Sequence, residues 1–244
     1  MMKPICIFLI TVGCLLAAGD DAAKPADVTA AQLGDILKEL REIHALLEKQ
    51  QQAAAPQPAP PLEKAKVSAS GNSLGRTDAP LTLVEFADYQ CPFCRQFHST
   101  VFQRLKKEYI DTGKVRFVSR DLPLDMHSNA LAAAEASRCA GDQNHFWEMR
   151  DALITHADHL EAASLTGYAQ QLGLKMDQFQ SCMSSEKFVP EIRADIAEAA
   201  GVQILGTPAF VLGKTSSTAF EGVKLIGAQP YEAFVKALSG QETK

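Results

Sequence analysis

Apolar positions recur with a helical period near the start of the chain and through most of its second half, and short apolar runs of strand length separate these stretches. The short runs predict strands over residues 81–86, 115–119, 209–212 and 222–226. The helical period predicts helices over residues 91–110, 129–139, 145–154, 165–172, 177–183, 187–200 and 231–238. The element order is therefore β-α-β, a block of helices, and β-β-α, which is typical of an α/β protein.

A separate helical segment precedes this domain, and its apolar residues form one stripe. Thr29 and Gln32 fit a capping box, which predicts the start of the helix. Five apolar residues fit the a and d positions of a heptad repeat: Leu33, Ile36, Leu40, Ile43 and Leu47. An isolated helix of this length is marginal in water, so the stripe needs a partner. We expect an oligomerisation helix over residues 20–52 that self-associates through residues 29–52, and packing on its own domain is the alternative.

The next segment favours self-association. Residues 53–61 are rich in Ala, Pro and Gln, a composition that indicates a semi-rigid spacer. Such a spacer would be unnecessary if the helix simply docked on its own domain. We assign residues 53–66 to this linker and expect the main domain to begin near Val67.

The first residues have the pattern of an export signal. Lys3 precedes an apolar run over residues 5–16, and small residues at 17–19 suit cleavage. We therefore expect residues 1–19 to be a signal peptide. A retained membrane anchor is one alternative, although the run is short for a membrane span. Lipoprotein processing at Cys14 is another.

Composition fits a globular protein with a sizeable core. The chain has 244 residues, of which 46% are hydrophobic and 22% are charged. The net charge is -5, and a nucleic-acid partner would require a basic stripe that this chain lacks.

Cysteine usage suits an exported protein, because disulfides persist in oxidising compartments. Cys6 and Cys14 fall in the expected leader. The remaining four are Cys91, Cys94, Cys139 and Cys182. Four cysteines allow three connectivities, and the short spacing of the first two favours pairing 91 with 94 and 139 with 182. The alternative for Cys139 and Cys182 is two buried free thiols that act as small hydrophobes.

Cys91-Pro92-Phe93-Cys94 enters a predicted helix directly after an apolar strand. A thiolate is needed for thiol–disulfide exchange, and a helix N-terminus lowers the pKa of a cysteine placed there. We therefore assign Cys91 as the nucleophile and Cys94, which lies one turn further on, as the more buried resolving thiol. Pro92 is tolerated in the first helical turn, and Phe93 provides an apolar cap between the sulfurs.

The alternative for this motif is half of a zinc site. Zinc needs four ligands, and no second Cys-x-x-Cys or His pair has a matching spacing. Cys139 and Cys182 could complete a four-cysteine site in principle. We expect no bound metal and no cofactor.

Three polar residues flank the motif. Glu85 lies in the preceding strand, where a carboxyl beneath the redox pair could relay the Cys94 proton, and burial would raise its pKa. An exposed strand charge is the alternative for Glu85. His98 shares a helix face with Cys94 and is interpreted as a surface or packing residue. Asp88 is interpreted as a loop residue.

These features together resemble bacterial thiol–disulfide oxidoreductases of the DsbA type, in the thioredoxin superfamily. The resemblance extends from about residue 74 to residue 238. It rests on Asp78-Ala79-Pro80, Glu85-Phe86, Asp88-Tyr89-Gln90-Cys91-Pro92-Phe93-Cys94, Gly206-Thr207-Pro208-Ala209-Phe210 and Gly227-Ala228-Gln229-Pro230. The resemblance implies a thioredoxin fold in two parts, residues 67–124 and 203–244, with a helical insertion over residues 125–202.

The resemblance also implies roles and partners. Cys91 attacks and Cys94 resolves, Thr207-Pro208 is cis and faces the disulfide, and Glu85 is the buried acid. It implies a periplasmic enzyme that acts on cysteine-containing exported proteins and is reoxidised by a quinone-linked membrane oxidase.

Two features differ from a plain monomeric oxidase of this family. The N-terminal helix and linker are similar to the oligomerisation stalks of disulfide isomerases. Phe93 replaces the histidine found between the cysteines of the enterobacterial oxidase, so we expect Cys91 to be less acidic. One alternative is therefore an oligomeric isomerase or reductase kept reduced by a membrane thiol reductant. The other is a metal-binding or surface interaction protein with an incidental dithiol.

Overall fold

A computed structural model describes residues 30–53 and 62–242 of the chain. The expected signal peptide, the cap at Thr29 and most of the linker lie outside the described residues. The described residues form two units, one that consists of helix α1 (Ala30–Ala53) and one that contains everything from residue 62 onward.

Helix α1 presents its apolar stripe to solvent. Every side chain described on it, from residue 32 to residue 48, is exposed. Its large apolar side chains are between 50 and 66% exposed: Leu33, Ile36, Leu37, Leu40, Ile43, Leu46 and Leu47. Within this unit the described residues supply no cover for the stripe.

The second unit is built on one six-stranded sheet with the order β1-β6-β5-β3-β4-β2. Its strands are β1 (Lys64–Ser68), β2 (Asn72–Leu74), β3 (Leu81–Ala87), β4 (Val115–Asp121), β5 (Ala209–Lys214) and β6 (Ala219–Ile226). Only β3 and β4 pair in parallel, and the other neighbours are antiparallel. The fold is therefore a mixed α/β thioredoxin-like sheet, as the sequence predicts.

Helices lie on both faces of the sheet and in an inserted block. The helix that follows β3 begins as α2 (Pro92–Phe97) and continues through a π-helical turn (His98–Phe102), α3 (Gln103–Leu105) and a second π-helical turn (Lys106–Ile110). The inserted helices are α4 (Ala130–Gly141), α5 (Phe146–Thr155), α6 (Ala162–Gln171), α7 (Met176–Ser184) and α8 (Val189–Gly201). Helix α9 (Tyr231–Glu242) follows the last strand.

Alternation along β3 divides the sheet into two faces. Leu83 and its face pack against Phe97 and Phe234, which come from α2 and α9. Val84 and Phe86 pack on the opposite face in a cluster that includes residues of α8. Because β3 is buried on both faces, it is a nearly continuous apolar run, and Thr82 and Glu85 are its two polar residues.

The inserted helices have their own apolar core, which contains Cys139 and Cys182. These two cysteines form a disulfide between α4 and α7, with an S–S distance of 2.03 Å. This is the pairing that the cysteine spacing favours.

Buried charge pairs attach the inserted helices to strand β4. Arg138 of α4 donates to Asp121 across 2.6 Å and to Asp195 of α8 across 2.5 Å. Arg120 of β4 donates to the other oxygen of Asp195 across 2.7 Å. All four residues are buried, so the block is held to the sheet by paired ions as well as by apolar contacts.

Strands β1 and β2 could not be predicted from the sequence. Strand β1 begins at Lys64, inside the expected linker, so the domain starts earlier than Val67. This edge strand buries only Ala65 and Val67 between exposed lysines, a pattern too short to stand out. Strand β2 has three half-buried residues and no apolar alternation.

Candidate active site

Cys91 occupies the N-cap position of helix α2. Its backbone is extended, with φ -73° and ψ 122°, and Pro92 follows in the first helical turn. The Cys91 amide donates to the Asp88 carbonyl across 3.1 Å, and the Cys91 carbonyl accepts from the amide of Arg95 across 3.2 Å. The sulfur therefore sits where unpaired helical N–H groups favour an anion.

Cys91 and Cys94 are both buried and are not bonded to each other in this structure, and Phe93 between them is 58% exposed. The pKa of Cys91 is lowered to about 5, chiefly by a hydrogen bond from the Cys94 side chain, although burial opposes the shift. The neighbouring Thr207 and the backbone N–H groups of Phe93 and Cys94 also contribute to the lower pKa. A thiol with this pKa is mostly a thiolate at neutral pH.

Cys94 shifts in the opposite direction. Burial raises its pKa well above the ordinary value, and the hydrogen bond to Cys91 and the charge of Glu85 add to the increase. Because their pKa values shift in opposite directions, the two thiols have different roles in exchange: Cys91 attacks as a thiolate, and Cys94 keeps its proton.

The loop before strand β5 faces the dithiol. The peptide bond between Thr207 and Pro208 is cis. Cys91 Sγ lies 3.4 Å from the Thr207 carbonyl oxygen, which brings residues far apart in the sequence into one site. Leu205, two residues before Thr207, is 80% exposed.

Glu85 lies on the face of β3 that packs against α2, and it is fully buried. Arg150 of α5, also fully buried, donates to Glu85 Oε2 across 2.5 Å. His98 Nε2 lies 3.1 and 3.2 Å from the two carboxylate oxygens. Arg150 is fixed further by a 3.2 Å hydrogen bond from its Nε to Ser119 Oγ. The inserted helices thus contribute a cation beneath the dithiol.

This pairing corrects two expectations from the sequence. Burial does raise the pKa of Glu85, but the charges and hydrogen bonds of His98 and Arg150 outweigh it, so that the pKa is lowered and Glu85 is a carboxylate. His98 is only 5% exposed and is a polar partner of Glu85, not a surface residue. Burial, followed by the charge of Arg150, lowers the pKa of His98.

Asp88 is a loop residue, as expected, but it is buried and organises the turn before Cys91. Its Oδ1 accepts from the Gln90 amide across 2.7 Å, and its Oδ2 accepts from the Leu124 amide across 2.8 Å. His127 Nδ1 also lies 2.7 Å from Oδ2. Sequence reasoning missed this role, although an acidic residue directly after a buried strand is a usable signal.

The second cysteine pair bears on the zinc alternative. Cys139 and Cys182 are bonded to each other, so neither is free to join the dithiol in a four-cysteine site. Among residues 30–53 and 62–242, no three His, Cys, Asp or Glu side chains are grouped in a way that could hold a metal ion.

Comparison with known proteins identifies the family. The family model described as Thioredoxin matches residues 67–238. The solved structure of Wolbachia pipientis alpha-DsbA1 is 26% identical with a TM-score of 0.62, and the match covers 79% of this chain and 95% of that one. The chain therefore belongs to the thioredoxin family, and its fold is similar to that of DsbA proteins.

Two curated relatives widen the comparison. A "Probable disulfide bond formation protein D" of Bacillus anthracis is 32% identical over 161 residues, which are 62% of this chain and 74% of that protein. A Na(+)/H(+) antiporter NhaA 3 of Salinispora tropica is 36% identical over 164 residues, which are 67% of this chain and 24% of that protein. The chain thus spans about a quarter of the length of such antiporters. In the part of the chain that the structure describes, no helix is both long and apolar enough to cross a membrane.

Proposed function

We propose that the protein is a periplasmic thiol–disulfide oxidoreductase that introduces or exchanges disulfides in exported proteins through Cys91 and Cys94. The observation that carries this proposal is the position of Cys91 at the N-cap of α2, 3.4 Å from the Thr207 carbonyl oxygen, with Cys94 buried one turn further on. The pKa values of the two thiols shift in opposite directions, which agrees with this division of roles. A stable thiolate at Cys91 makes this sulfur a good leaving group, which favours transfer of the disulfide to a client.

Exchange proceeds through a mixed disulfide. A client thiolate attacks the Cys91 sulfur of the oxidised protein, the bond to Cys94 breaks, and the electron pair leaves on Cys94. A second client thiolate then attacks its own sulfur in the mixed disulfide, and Cys91 leaves as a thiolate. The client gains a disulfide, and the protein ends with the reduced dithiol.

The surface around Cys91 suits an extended, partly apolar client. Exposed apolar side chains come from α2, from the segment that hydrogen-bonds to Asp88 before Cys91, and from the loop before Thr207: Phe93, Met126 and Leu205 are 58, 81 and 80% exposed. The loop at Thr207 offers backbone groups to an extended client strand, in the manner of strand addition.

Self-association through α1 is part of the proposal. Leu33, Leu40 and Leu47 occupy the a positions and Ile36 and Ile43 the d positions of the heptad. In parallel coiled coils, Leu at a with Ile at d favours three or four helices over two. Leu37 and Leu46 widen the apolar face, which also suits a larger bundle.

The exposed apolar stripe of α1 favours an isomerase as the alternative to an oxidase. An oligomer would present several dithiols to one misfolded client, which suits an isomerase kept reduced by a membrane thiol reductant. A monomeric domain would suit an oxidase that a quinone-linked membrane partner reoxidises. A metal-binding role for the dithiol is the remaining alternative, and full zinc or copper occupancy of the purified protein would favour it.

The deciding experiment compares the full mature protein with a variant that begins at Leu62, just before β1. Each is tested for oxidation of a reduced client and for rescue of a client with scrambled disulfides. Rescue by the full protein alone supports the oligomeric isomerase. Equal oxidation and no rescue by either protein supports the oxidase.

A further inference from the structure

Cys94 and Glu85 have no direct contact with solvent. Cys94 is 1% exposed and Glu85 is fully buried. A buried thiol that becomes a leaving thiolate must gain a proton, and it must lose that proton again when it attacks. Cys94 packs against Ala87, which lies two residues after Glu85 on the same face of β3. His98, one helical turn after Cys94, reaches both oxygens of Glu85, so this carboxylate lies on the side of the helix that carries the Cys94 sulfur. The charge of Glu85 also acts on Cys94.

His98 connects this buried pair to an open groove of about 390 Å³. The groove runs between the helix that carries the dithiol and α5, and His98 forms part of its wall. The other polar residues of the wall are Arg95, Ser99, Gln103, Asp151 and Thr155. On its opposite side, His98 Nε2 reaches both oxygens of Glu85.

The surroundings of His98 Nε2 hold two competing partners. Arg150 Nη2 lies 2.6 Å from Nε2, and the Glu85 oxygens lie 3.1 and 3.2 Å from it. One ring nitrogen cannot accept from the guanidinium and donate to the carboxylate at the same time. His98 therefore has two alternative hydrogen arrangements, and transfer of a proton converts one into the other.

The charges around His98 prevent it from keeping the proton. Arg150 lies against both ring nitrogens, since its Nη1 is 3.4 Å from Nδ1. Glu85 of β3 and Asp151 of α5 favour the imidazolium, but burial and Arg150 outweigh them. Arg95 adds a further cation in the groove wall. A neutral imidazole between a carboxylate and water can pass a proton without storing it.

We propose that His98 is the relay through which Cys94 exchanges its proton with solvent, by way of Glu85 on one side and the groove on the other. This rests on the roles proposed above for Cys91 and Cys94. When a client thiolate bonds to Cys91, the S–S bond breaks and its electron pair stays on Cys94. A buffer acid in the groove protonates His98, His98 gives its Nε2 proton to Glu85, and Glu85 gives a proton to Cys94. Reoxidation sends one proton back along the same route and restores the first arrangement of His98.

The test uses the oxidised full chain in single turnovers with dithiothreitol, quenched with acid and alkylated. His98→Gln keeps a hydrogen bond to Glu85 but cannot relay, and it should slow the breaking of the disulfide about 100-fold, within the range of general acid catalysis. The matched control is His159→Gln, which makes the same change at an exposed histidine and should keep the wild-type rate. Imidazole should restore the rate of His98→Ala and leave the wild type unchanged.

Two measurements separate a relay from a packing role. In wild type, the rate in mixtures of H₂O and D₂O should curve with deuterium fraction, because more than one proton moves. A linear plot overturns the relay and requires no variant to fold. A slow His98→Gln that imidazole does not rescue in His98→Ala also overturns it. The Cys91 thiolate, titrated in the same samples by its absorbance near 240 nm, tests the assignment of the nucleophile separately.

Discussion

Arg150 and Glu85 form a fully buried ion pair between two structural layers: the carboxylate lies on the central strand β3 and the guanidinium comes from helix α5 of the insertion. The two atoms in contact are 2.5 Å apart. The insertion therefore determines the protonation state of a group beneath the dithiol, in addition to shaping the surface around it.

Arg150→Met should lower the free energy of unfolding by about 3–5 kcal/mol, because it leaves the Glu85 carboxylate buried without its cation. The same change raises the pKa of Glu85. Urea unfolding at pH 7 measures the loss. The double variant Arg150→Met with Glu85→Gln should recover much of it, and a single variant that is as stable as wild type would contradict the pairing.

The roles of the two thiols predict different products from their serine variants. Cys94→Ser should accumulate mixed disulfides with client proteins, because only the resolving step is lost. Cys91→Ser should form none. Non-reducing gels followed by mass spectrometry detect the adducts, and adducts in the Cys91→Ser protein alone would reverse the assignment.

The Cys91 thiolate should make the reduced protein more stable as pH rises from about 5 to about 8.5. The pKa of Cys91 is about 5 in the folded protein and about 8.5 in an unfolded chain. Its contribution is therefore complete above about pH 8.5 and is lost as pH falls through about 5. Alkylation rates measured against pH should show a half-point near 5, and a half-point near 8.5 would refute the predicted thiolate.

The residue between the cysteines should tune this thiolate. Phe93→His places a polar, ionisable ring beside Cys91 and should move the half-point to lower pH. Phe93→Leu keeps an apolar side chain at the same position and should leave the half-point unchanged. An equal effect of both substitutions would show that size, not polarity, controls the pKa.

The stripe on α1 should hold three or four chains together. Leu40→Asp puts a charge in the seam and should give monomers in sedimentation experiments. Lys38→Asp also introduces an aspartate, but on the charged face of the helix, and this variant should still assemble. If wild type, Leu40→Asp and a protein that begins at Leu62 all sediment as the same species, α1 has no part in assembly.

The disulfide in the insertion should stabilise the folded protein. Cys139 and Cys182 are 43 residues apart in sequence, and closing such a loop contributes about 3–4 kcal/mol in the chain-entropy model. Replacing both with alanine should lower the unfolding midpoint in denaturant by the equivalent amount. Free thiols at both positions in the unreduced wild type would contradict this expectation.

Most of the fold could be predicted from patterns in contiguous residues. The strand before Cys91 and the period of each inserted helix are properties of contiguous residues, so the element order could be predicted. Strands β1 and β2 could not, because each is short and depends on hydrogen bonds to β6 or β4 for its existence. The dithiol was visible for the same reason as the helices, since its spacing is local.

The electrostatics beneath the dithiol were not visible in the sequence. Glu85 and Arg150 are 65 residues apart, in a strand and in an inserted helix, and no spacing rule connects them. Burial alone predicts a raised pKa for Glu85, and the correct direction needs the identity of the opposing side chain. The role of His98 could not be predicted because its two polar partners, Glu85 and Arg150, lie on other elements.

The charge pairs at Asp121, Asp195 and Glu85 also limit how this protein can be recombined. Three pairs join a residue of the sheet to a residue of the insertion: Glu85 with Arg150, Asp121 with Arg138, and Arg120 with Asp195. Arg138 also contacts Asp195, so the last two pairs are linked. A chimera with foreign helices between β4 and β5 would leave the Glu85 and Asp121 carboxylates buried without a cation. Its helices would have to supply guanidinium groups at the positions of Arg138 and Arg150. Sequence changes on the two sides of this junction are therefore constrained to occur together.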